Sequence, residues 1–595
     1  MNEINQRIEA LREVMRREKI DAFIFPSTDP HNGEYVPEHW MSRQWISGFD
    51  GSAGTAVVTL HEAALWTDSR YFIAAAEQLS GTEYVLMKKG LEGTPTISEW
   101  IARKLSVSGG TCVGIDGMVM AFNCIDGLIN RMRNSGGITV RTNLDPLSYI
   151  WKDRPMIPLH PAIVHPMEYA GEEASSKLAR IRKVMSKKCV DGHLVTALDD
   201  IAWTLNIRGN DVHCSPVAVS YLLIEKEKAT LFIDAKKIEG QEIRNHLSAA
   251  GVSIAPYGSI KQALEKYNGY NILIDKYSTC YTLVNSIKAK IVFDESPIPQ
   301  MKSVKNAVEI EGYRKAMKRD GIALVKFLRW LKPAVEAGGE TEMSIDRKLT
   351  ALRAEQPLFR DISFDTIAGY QEHGAIVHYE ATPESDVQLR PEGFLLLDSG
   401  AHYADGTTDI TRTIALGPIT EEQKKIYTLV LKGNIQLAML KFPNNASGTQ
   451  LDALARKDMW REGMNFLHGT GHGVGSYLNV HEGPHQVRME WKPAPLRAGM
   501  TITNEPGLYL EGRFGVRTEN TMLITPYKET EFGKFLQLEP LTLCPIDTIP
   551  IIKEMMTKEE IEWLNNYHQR VKNELLPLLD DEADKQWLIE ATRGI

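Results

Sequence analysis

The chain has 595 residues, 43% hydrophobic and 24% charged, which is the balance of a folded protein and too long for one core, so two to four domains are expected. A net charge of -9 argues against a nucleic-acid binder that relies on phosphate contacts. No run approaches the ~18 apolar residues of a membrane span, the polar start Met1–Arg7 lacks the apolar core of a signal peptide, and the six cysteines, Cys112, Cys124, Cys189, Cys214, Cys280 and Cys544, include no CxxC pair. The expectation is a cytoplasmic protein without a disulfide framework and with neither a membrane nor a nucleic-acid partner.

The first predicted elements come as a repeated pair. Ile8, Leu11, Val14 and Met15 fall on one helix face, and the run after Asp21 reads as a strand. Leu178, Ile181, Val184, Met185, Val190 and Asp191 repeat Ile8, Leu11, Val14, Met15, Ile20 and Asp21 at a constant offset of 170 residues, which favours a duplicated α/β domain over two unrelated helix–strand starts. Two proline-rich stretches, "DRPMIPLHPAIVHP" and "DESPIPQ", read as linkers. Together these place domains at 1–152, 153–298 and 299–595. The third domain opens with a long amphipathic helix over 306–331. Strands are predicted at 375–379, 394–398 and 411–416, then a helix around 421–440. At the tail, Thr557-x-x-Glu560 reads as a capping box ahead of an apolar stripe, Ile561, Leu564, Tyr567, Val571 and Leu575, expected to face core or another subunit.

The chemistry gathers in this third domain. "FLLLDSGAHYADGTTDITRT" ends an apolar run in Asp398 and places Asp409 eleven residues on, among threonines. Two separate turn aspartates would be the ordinary reading, but buried carboxylates require compensation. "HGTGHGVGSYLNVHEGP" holds His468, His472 and His481 among glycines; it is neither HExxH, a dinucleotide fingerprint nor a phosphate loop. "MTITNEPGLYL" sets Glu505 after a strand-like run, and "GVRTENTMLI" sets Glu519 in the middle of another, with Thr501, Thr503, Thr518 and Asn520 as polar support. The four carboxylates of Asp398, Asp409, Glu505 and Glu519 carry -4 and His472 is neutral, so two divalent cations neutralise the set. Oxygen-rich donors with one nitrogen suit Mn²⁺ first, with Co²⁺ or Zn²⁺ as alternatives, ~3.5–4 Å apart.

These motifs resemble the pita-bread metallopeptidase family, whose five ligands occur as Asp, Asp eleven residues later, His, Glu and Glu. Within it, "SGFDGSAGTAVVT", "LWTDSRYF", "GAIVHYE" and "EWLNNYH" resemble the long, three-domain aminopeptidase P branch over essentially the whole chain. The resemblance implies an α/β (α+β) fold with two similar creatinase-like N-terminal domains and a C-terminal pita-bread catalytic domain. It implies metalloaminopeptidase activity on peptides with proline at position 2, in a homodimer to which the tail helix would also point. It implies metal ligation by Asp398, Asp409, His472, Glu505 and Glu519, with Asp409 and Glu519 bridging, and a catalytic role for Glu505, His378 and His481. Arg70, His378, His468, His481 and Arg517 become the substrate-side residues, Arg517 by orienting ligands; for Arg70 a surface salt bridge is the equal alternative. One departure is "HYE" where "HYAP" is expected beside His378. The rivals are a prolidase acting on dipeptides, disfavoured by the duplicated front half, a metal-free creatinase-like enzyme, and a non-catalytic binding relative, both disfavoured by the complete ligand set.

Overall fold

The computed structural model describes residues 2–105, 111–135 and 137–595. The chain forms two compact units, Met1–His165 with Glu172–Ile298, and Pro166–Gly171 with Pro299–Ile595.

The first unit is built twice from one plan. Helix α1 (Glu3–Glu18) precedes strands β1 (Ala22–Pro26), β2 (Thr55–Thr59), β3 (Ala63–Thr67), β4 (Tyr84–Lys88), β5 (Cys112–Ile115) and β6 (Thr139–Arg141), which form a sheet in the order β4-β3-β2-β1-β5-β6. Helix α2 (Ala174–Lys187) precedes β7 (Gly192–Val195), β8 (Tyr221–Glu225), β9 (Ala229–Phe232), β10 (Val252–Ala255), β11 (Asn271–Ile274) and β12 (Lys290–Phe293), in the order β10-β9-β8-β7-β11-β12. In each sheet the first strand pairs antiparallel with one neighbour and parallel with the other, and the edge strand, β4 or β10, runs parallel to the strand beside it. Ile8, Leu11, Val14 and Met15 are buried, as are Leu178, Ile181 and Met185, while Val184 is only half-buried. The paired aspartates do the same work. Asp21 accepts the backbone N–H of Cys112 at 2.8 Å, and Asp191 those of Tyr270 and Asn271 at 2.9 and 3.4 Å, so each carboxylate caps the start of the parallel neighbour strand.

The second unit contains the long helix α3 (Ala307–Ala337), capped by Asn306 and Glu309 in a reciprocal box, followed by α4 (Glu342–Ala354). Strands β13 (Ile367–Tyr370), β14 (Phe394–Ser399) and β15 (Ile410–Ala415) make an antiparallel sheet. Its apolar face, Leu395, Leu397, Ile410 and Ile414, packs on Leu324, Phe327, Leu331, Ile345 and Leu349 of the two helices; each such side chain contributes ~1.5–3 kcal/mol. Helices α5 (Glu421–Ala438) and α6 (Gly448–Arg461) lead to β16 (Gly471–Gly473) and β17 (Glu482–Val487), which pair. Strand β18 (Thr501–Asn504), the hairpin β19 (Gly507–Leu510) and β20 (Phe514–Arg517), then β21 (Asn520–Thr530) and β22 (Gly533–Pro540) complete the sheets. Helix α7 (Lys558–Leu575) starts at the Thr557–Glu560 capping box. No helix among the described residues is long and apolar enough to cross a membrane.

Two expectations change. Residues 375–379 are not a strand: β13 ends at Tyr370, whose N–H goes to the Glu342 carboxylate, and the chain turns through a 3-10 segment, Gln371–Ala375. Glu519 is not mid-strand but stands in the break between β20 and β21. Of the two readings of the stripe on α7, core holds: Leu564, Tyr567, Val571 and Leu575 are buried among Val325, Tyr427, Val430 and Leu588 of the same chain, while Ile561 is half-buried.

Candidate functional site

Alternation along β14 and β15 explains the threonine-rich stretch. Asp398 stands opposite Thr411. Asp409, Thr411 and Thr413 share a face by the two-residue period; Thr411 Oγ1 donates to Glu519 Oε2 at 2.8 Å and Thr413 Oγ1 to the Arg517 carbonyl at 2.9 Å. Ile410 and Ile414 take the opposite face, in the core. Glu519 is brought in because its N–H bonds the Thr411 carbonyl at 3.1 Å and Thr521 Oγ1 bonds the Asp409 carbonyl at 2.9 Å, which ties the start of β21 to β15. His472 sits on β16, drawn so near β18 that a Cβ at Gly471 would collide with the Thr503 carbonyl oxygen. Glu505 directly follows β18, and its N–H bonds the Thr470 carbonyl at 2.8 Å.

Four of the five residues meet directly, and the fifth, Asp398, is linked to Glu519 through Arg517 and Thr411. Ligand atoms of Asp409, His472 and Glu519 lie within 4.8 Å of one another. His472 Nε2 is 3.2 Å from Glu505 Oε1 and 3.5 Å from Asp409 Oδ2. Asp398 joins through Arg517, which donates to Asp398 Oδ2 from Nη2 at 2.7 Å and Nε at 3.1 Å. Asp398, Asp409 and Glu519 are buried. Burial, countered by Arg517, raises the Asp398 carboxyl above its usual value. Burial and the neighbouring Asp398 charge push Asp409 well up, and burial with both aspartates does the same for Glu519. Burial would lift Glu505, but the bond to His472 outweighs it and holds the group at about 2; burial works against the His472 proton, yet Glu505 and Asp409 hold it to about 9.

A divalent metal fits this donor set. Asp398 has Oδ2 tied to Arg517 while Oδ1 has no hydrogen-bond partner; Glu519 has Oε2 tied to Thr411 while Oε1 has none. Each thus keeps one buried, acceptor-only oxygen free, a state that costs ~1–3 kcal/mol or more without a cation.

Three of the other expected residues, His481, His468 and Arg517, stand beside the cluster. The His481 ring packs edge-on against His472, centroids 4.4 Å apart. His468 bonds the Tyr509 hydroxyl from Nε2 at 2.8 Å; burial holds this imidazole near 4 and so neutral. His378 follows Val377, whose carbonyl accepts from Arg517 Nη2 at 3.3 Å. Arg70 lies in the first unit, where its guanidinium reaches Asp68 Oδ2 at 2.8 Å and Glu34 Oε1 at 3.3 Å. Thr503 supports Glu505 at 3.0 Å as expected, whereas Thr501 Oγ1 bonds the Val474 carbonyl and Asn520 accepts from Arg412. Sequence reasoning missed Tyr509, whose hydroxyl joins Arg517 Nη1 at 2.7 Å to His468, and assigned no partner to Thr411. Tyr509 stands in the quoted "NEPGLYL" motif, where the two-residue strand period was its only signal.

Residues 311–526 match the model of metallopeptidase family M24 and residues 534–595 that of the C-terminal region of peptidase_M24. Residues 7–145 and 153–309 match two models of the creatinase/prolidase N-terminal domain. Aminopeptidase P2 of Arabidopsis thaliana is 38% identical over 615 residues, covering 97% of this chain and 86% of that protein. This chain belongs to metallopeptidase family M24. A second relative, Xaa-Pro aminopeptidase 1 of Dictyostelium discoideum, is 38% identical over 98% of this chain and 96% of its own length. The solved X-prolyl aminopeptidase of Caenorhabditis elegans, described as a cytosolic enzyme with a di-nuclear active site, superposes with TM-score 0.96 and 34% identity over 100% of both chains. The prolidase of Pyrococcus horikoshii OT3 covers only 63% of this chain, with TM-score 0.51 and 26% identity. The M24 match thus bears out the creatinase-like halves and pita-bread domain expected from the sequence.

Proposed function

We propose that this chain is an Xaa-Pro aminopeptidase that hydrolyses the bond between an N-terminal residue and a penultimate proline. The observation that carries the reading is the convergence of Asp398, Asp409, His472, Glu505 and Glu519 in a chain related to such enzymes along its full length. Those five residues would hold two divalent ions, Mn²⁺ by preference. When bound, the pair supplies an acidified water and polarises the scissile carbonyl.

The protein's own groups do the rest. Glu505, ionised at neutral pH, takes the water's proton on its carboxylate and delivers it to the proline nitrogen as the C–N bond breaks. His378 and His481 donate hydrogen bonds to the carbonyl oxygen as negative charge develops on it. Four carboxylates, two divalent cations and Arg517 sum to +1, which favours that oxyanion. His468, kept neutral by burial, walls the pocket for the proline ring, which lacks the N–H that ordinary peptidases grip. Arg517 orients Asp398. The three-domain division 1–152, 153–298 and 299–595, a homodimer and a cytoplasmic location belong to the same reading; the first is supported by the two equal sheets, the last by the cytosolic relative. Two peptides test the substrate class: Arg-Pro-Pro-Gly releases free arginine at a higher kcat/KM than Ala-Pro is cleaved. Cleavage of the dipeptide alone would make the enzyme a prolidase.

A further inference from the structure

One buried carboxylate lies outside the metal cluster and is aimed at the segment that carries His378. Glu342 is the first residue of α4, where the helix dipole favours negative charge, and its side chain is fully buried. Its Oε1 accepts the backbone N–H of Tyr370 at 2.8 Å, and its Oε2 the hydroxyl of Tyr379 at 2.7 Å. The Nδ1 of His373 lies 2.9 and 3.0 Å from the two oxygens. All three groups belong to the ten residues 370–379. The His373 ring stacks on Tyr379 with centroids 4.4 Å apart, so the anchors also brace each other.

The same segment is fixed from a second side. Arg517 Nη2 binds the Val377 carbonyl and also Asp398, so the residue before His378 is tied to a candidate metal ligand. Backbones close in between: a Cβ at Gly515 would strike the Gly374 carbonyl, and one at Gly369 would come within 2.7 Å of Gly374 Cα. His378 is therefore held between Val377, bound to Arg517, and Tyr379, bound to Glu342. The departure from the "HYAP" pattern falls on Glu380, which is exposed, and leaves Tyr379 buried against its anchor.

Taking His378 to serve the reaction as proposed above, we propose that Glu342 is a positioning residue that fixes the His378 imidazole against the scissile carbonyl through Tyr379 and His373. A hydrogen bond formed in the transition state is sensitive to its donor's placement, and a shift of ~1 Å costs on the order of 100-fold. A carboxylate accepts all three donors at once. The glutamine amide at the same place has one acceptor oxygen and must turn two N–H bonds towards groups that also donate.

The test is a double-mutant cycle on the metal-loaded full chain with Arg-Pro-Pro-Gly. Glu342→Gln lowers kcat by about 10-fold or more with KM within about 2-fold and metal content unchanged, and Tyr379→Phe lowers kcat in the same direction by less. On a His378→Ala background neither change lowers kcat further, because the group they position is gone. A Glu342→Gln enzyme with wild-type kcat overturns the proposal, as does the same loss on both backgrounds, which marks a purely structural role. If Glu342→Gln does not fold, the Tyr379→Phe cycle decides by the same criteria. His378→Ala at wild-type kcat removes the underlying assignment of His378, an outcome separate from failure of the Glu342 proposal alone.

Discussion

His472 Nε2 stands 3.2 Å from Glu505 Oε1 while its Nδ1 lies 2.9 Å from the Gly473 carbonyl. A carbonyl only accepts, so Nδ1 carries hydrogen, and Nε2 faces two carboxylates with either a proton or a lone pair. A bare lone pair there is repelled, so the position calls for a proton or a cation. Without metal the proton wins, which is why Glu505 and Asp409 hold the imidazole to about 9 against the cost of burial.

Metal uptake therefore displaces protons. Affinity rises with pH up to about 9, the value at which the His472 proton leaves unaided. Calorimetric titration of Mn²⁺ into metal-free protein, in buffers of different ionisation enthalpy near pH 7, will show net proton release. Uptake with no proton release contradicts the geometry.

Arg517 is a second test. Its fork holds Asp398 Oδ2 by two bonds and leaves Oδ1 free, and an ammonium cannot reproduce that pair. Arg517→Lys weakens metal binding by ~10–100-fold, measured by competition with a chelator. Unchanged affinity would mean the guanidinium does not orient the ligand.

The tail helix separates core from interface. Leu564 is fully buried within the chain's own core. Leu564→Ala lowers unfolding stability by ~2–5 kcal/mol while sedimentation at micromolar concentration is unchanged. A shift to a smaller species with no loss of stability would make the stripe a subunit contact.

Acid stability follows from imidazoles outside the site. Burial holds His193 and His568 near 4, below the ordinary 6.5, and His568 Nε2 accepts the Ile546 N–H at 3.0 Å, which requires an unprotonated nitrogen. Above about pH 7 such groups are neutral folded or unfolded and cost nothing. As pH falls from 6.5 towards 4 the unfolded chain takes the protons first, so stability declines across that window. Urea denaturation of metal-free protein at about pH 7.5 and 4.5 checks this. His568→Gln, which keeps an acceptor and loses the titration, narrows the difference, and an equal slope in both proteins would contradict the assignment.

What was legible in the sequence was local chemistry in a fixed order. The five ligands could be read because each carries its own context, from "FLLLD" to "RTEN". The duplication showed in the 170-residue offset because helix faces and the capping Asp21 and Asp191 answer to the same physics in both copies. Hidden were features set by distant chain. Residues 375–379 read as a strand because Ala375, Ile376 and Val377 are apolar, but the Glu342 carboxylate and the close backbones at Gly374 and Gly515 fold them into a turn. Glu342 itself looks like any acidic residue of a first helical turn. The period of α7 gives its apolar face but not what covers it.

The central claim is that two cations neutralise the carboxylates of Asp398, Asp409, Glu505 and Glu519, and one titration tests it. Metal-stripped protein is reloaded in steps, with bound metal counted by mass spectrometry and release of arginine from Arg-Pro-Pro-Gly measured at each step. Activity absent at the start and reaching its plateau at two divalent ions per chain is the predicted result, with Asp409→Asn failing to reach it. Full activity in protein free of metal, or a wild-type plateau in Asp409→Asn, would contradict the account.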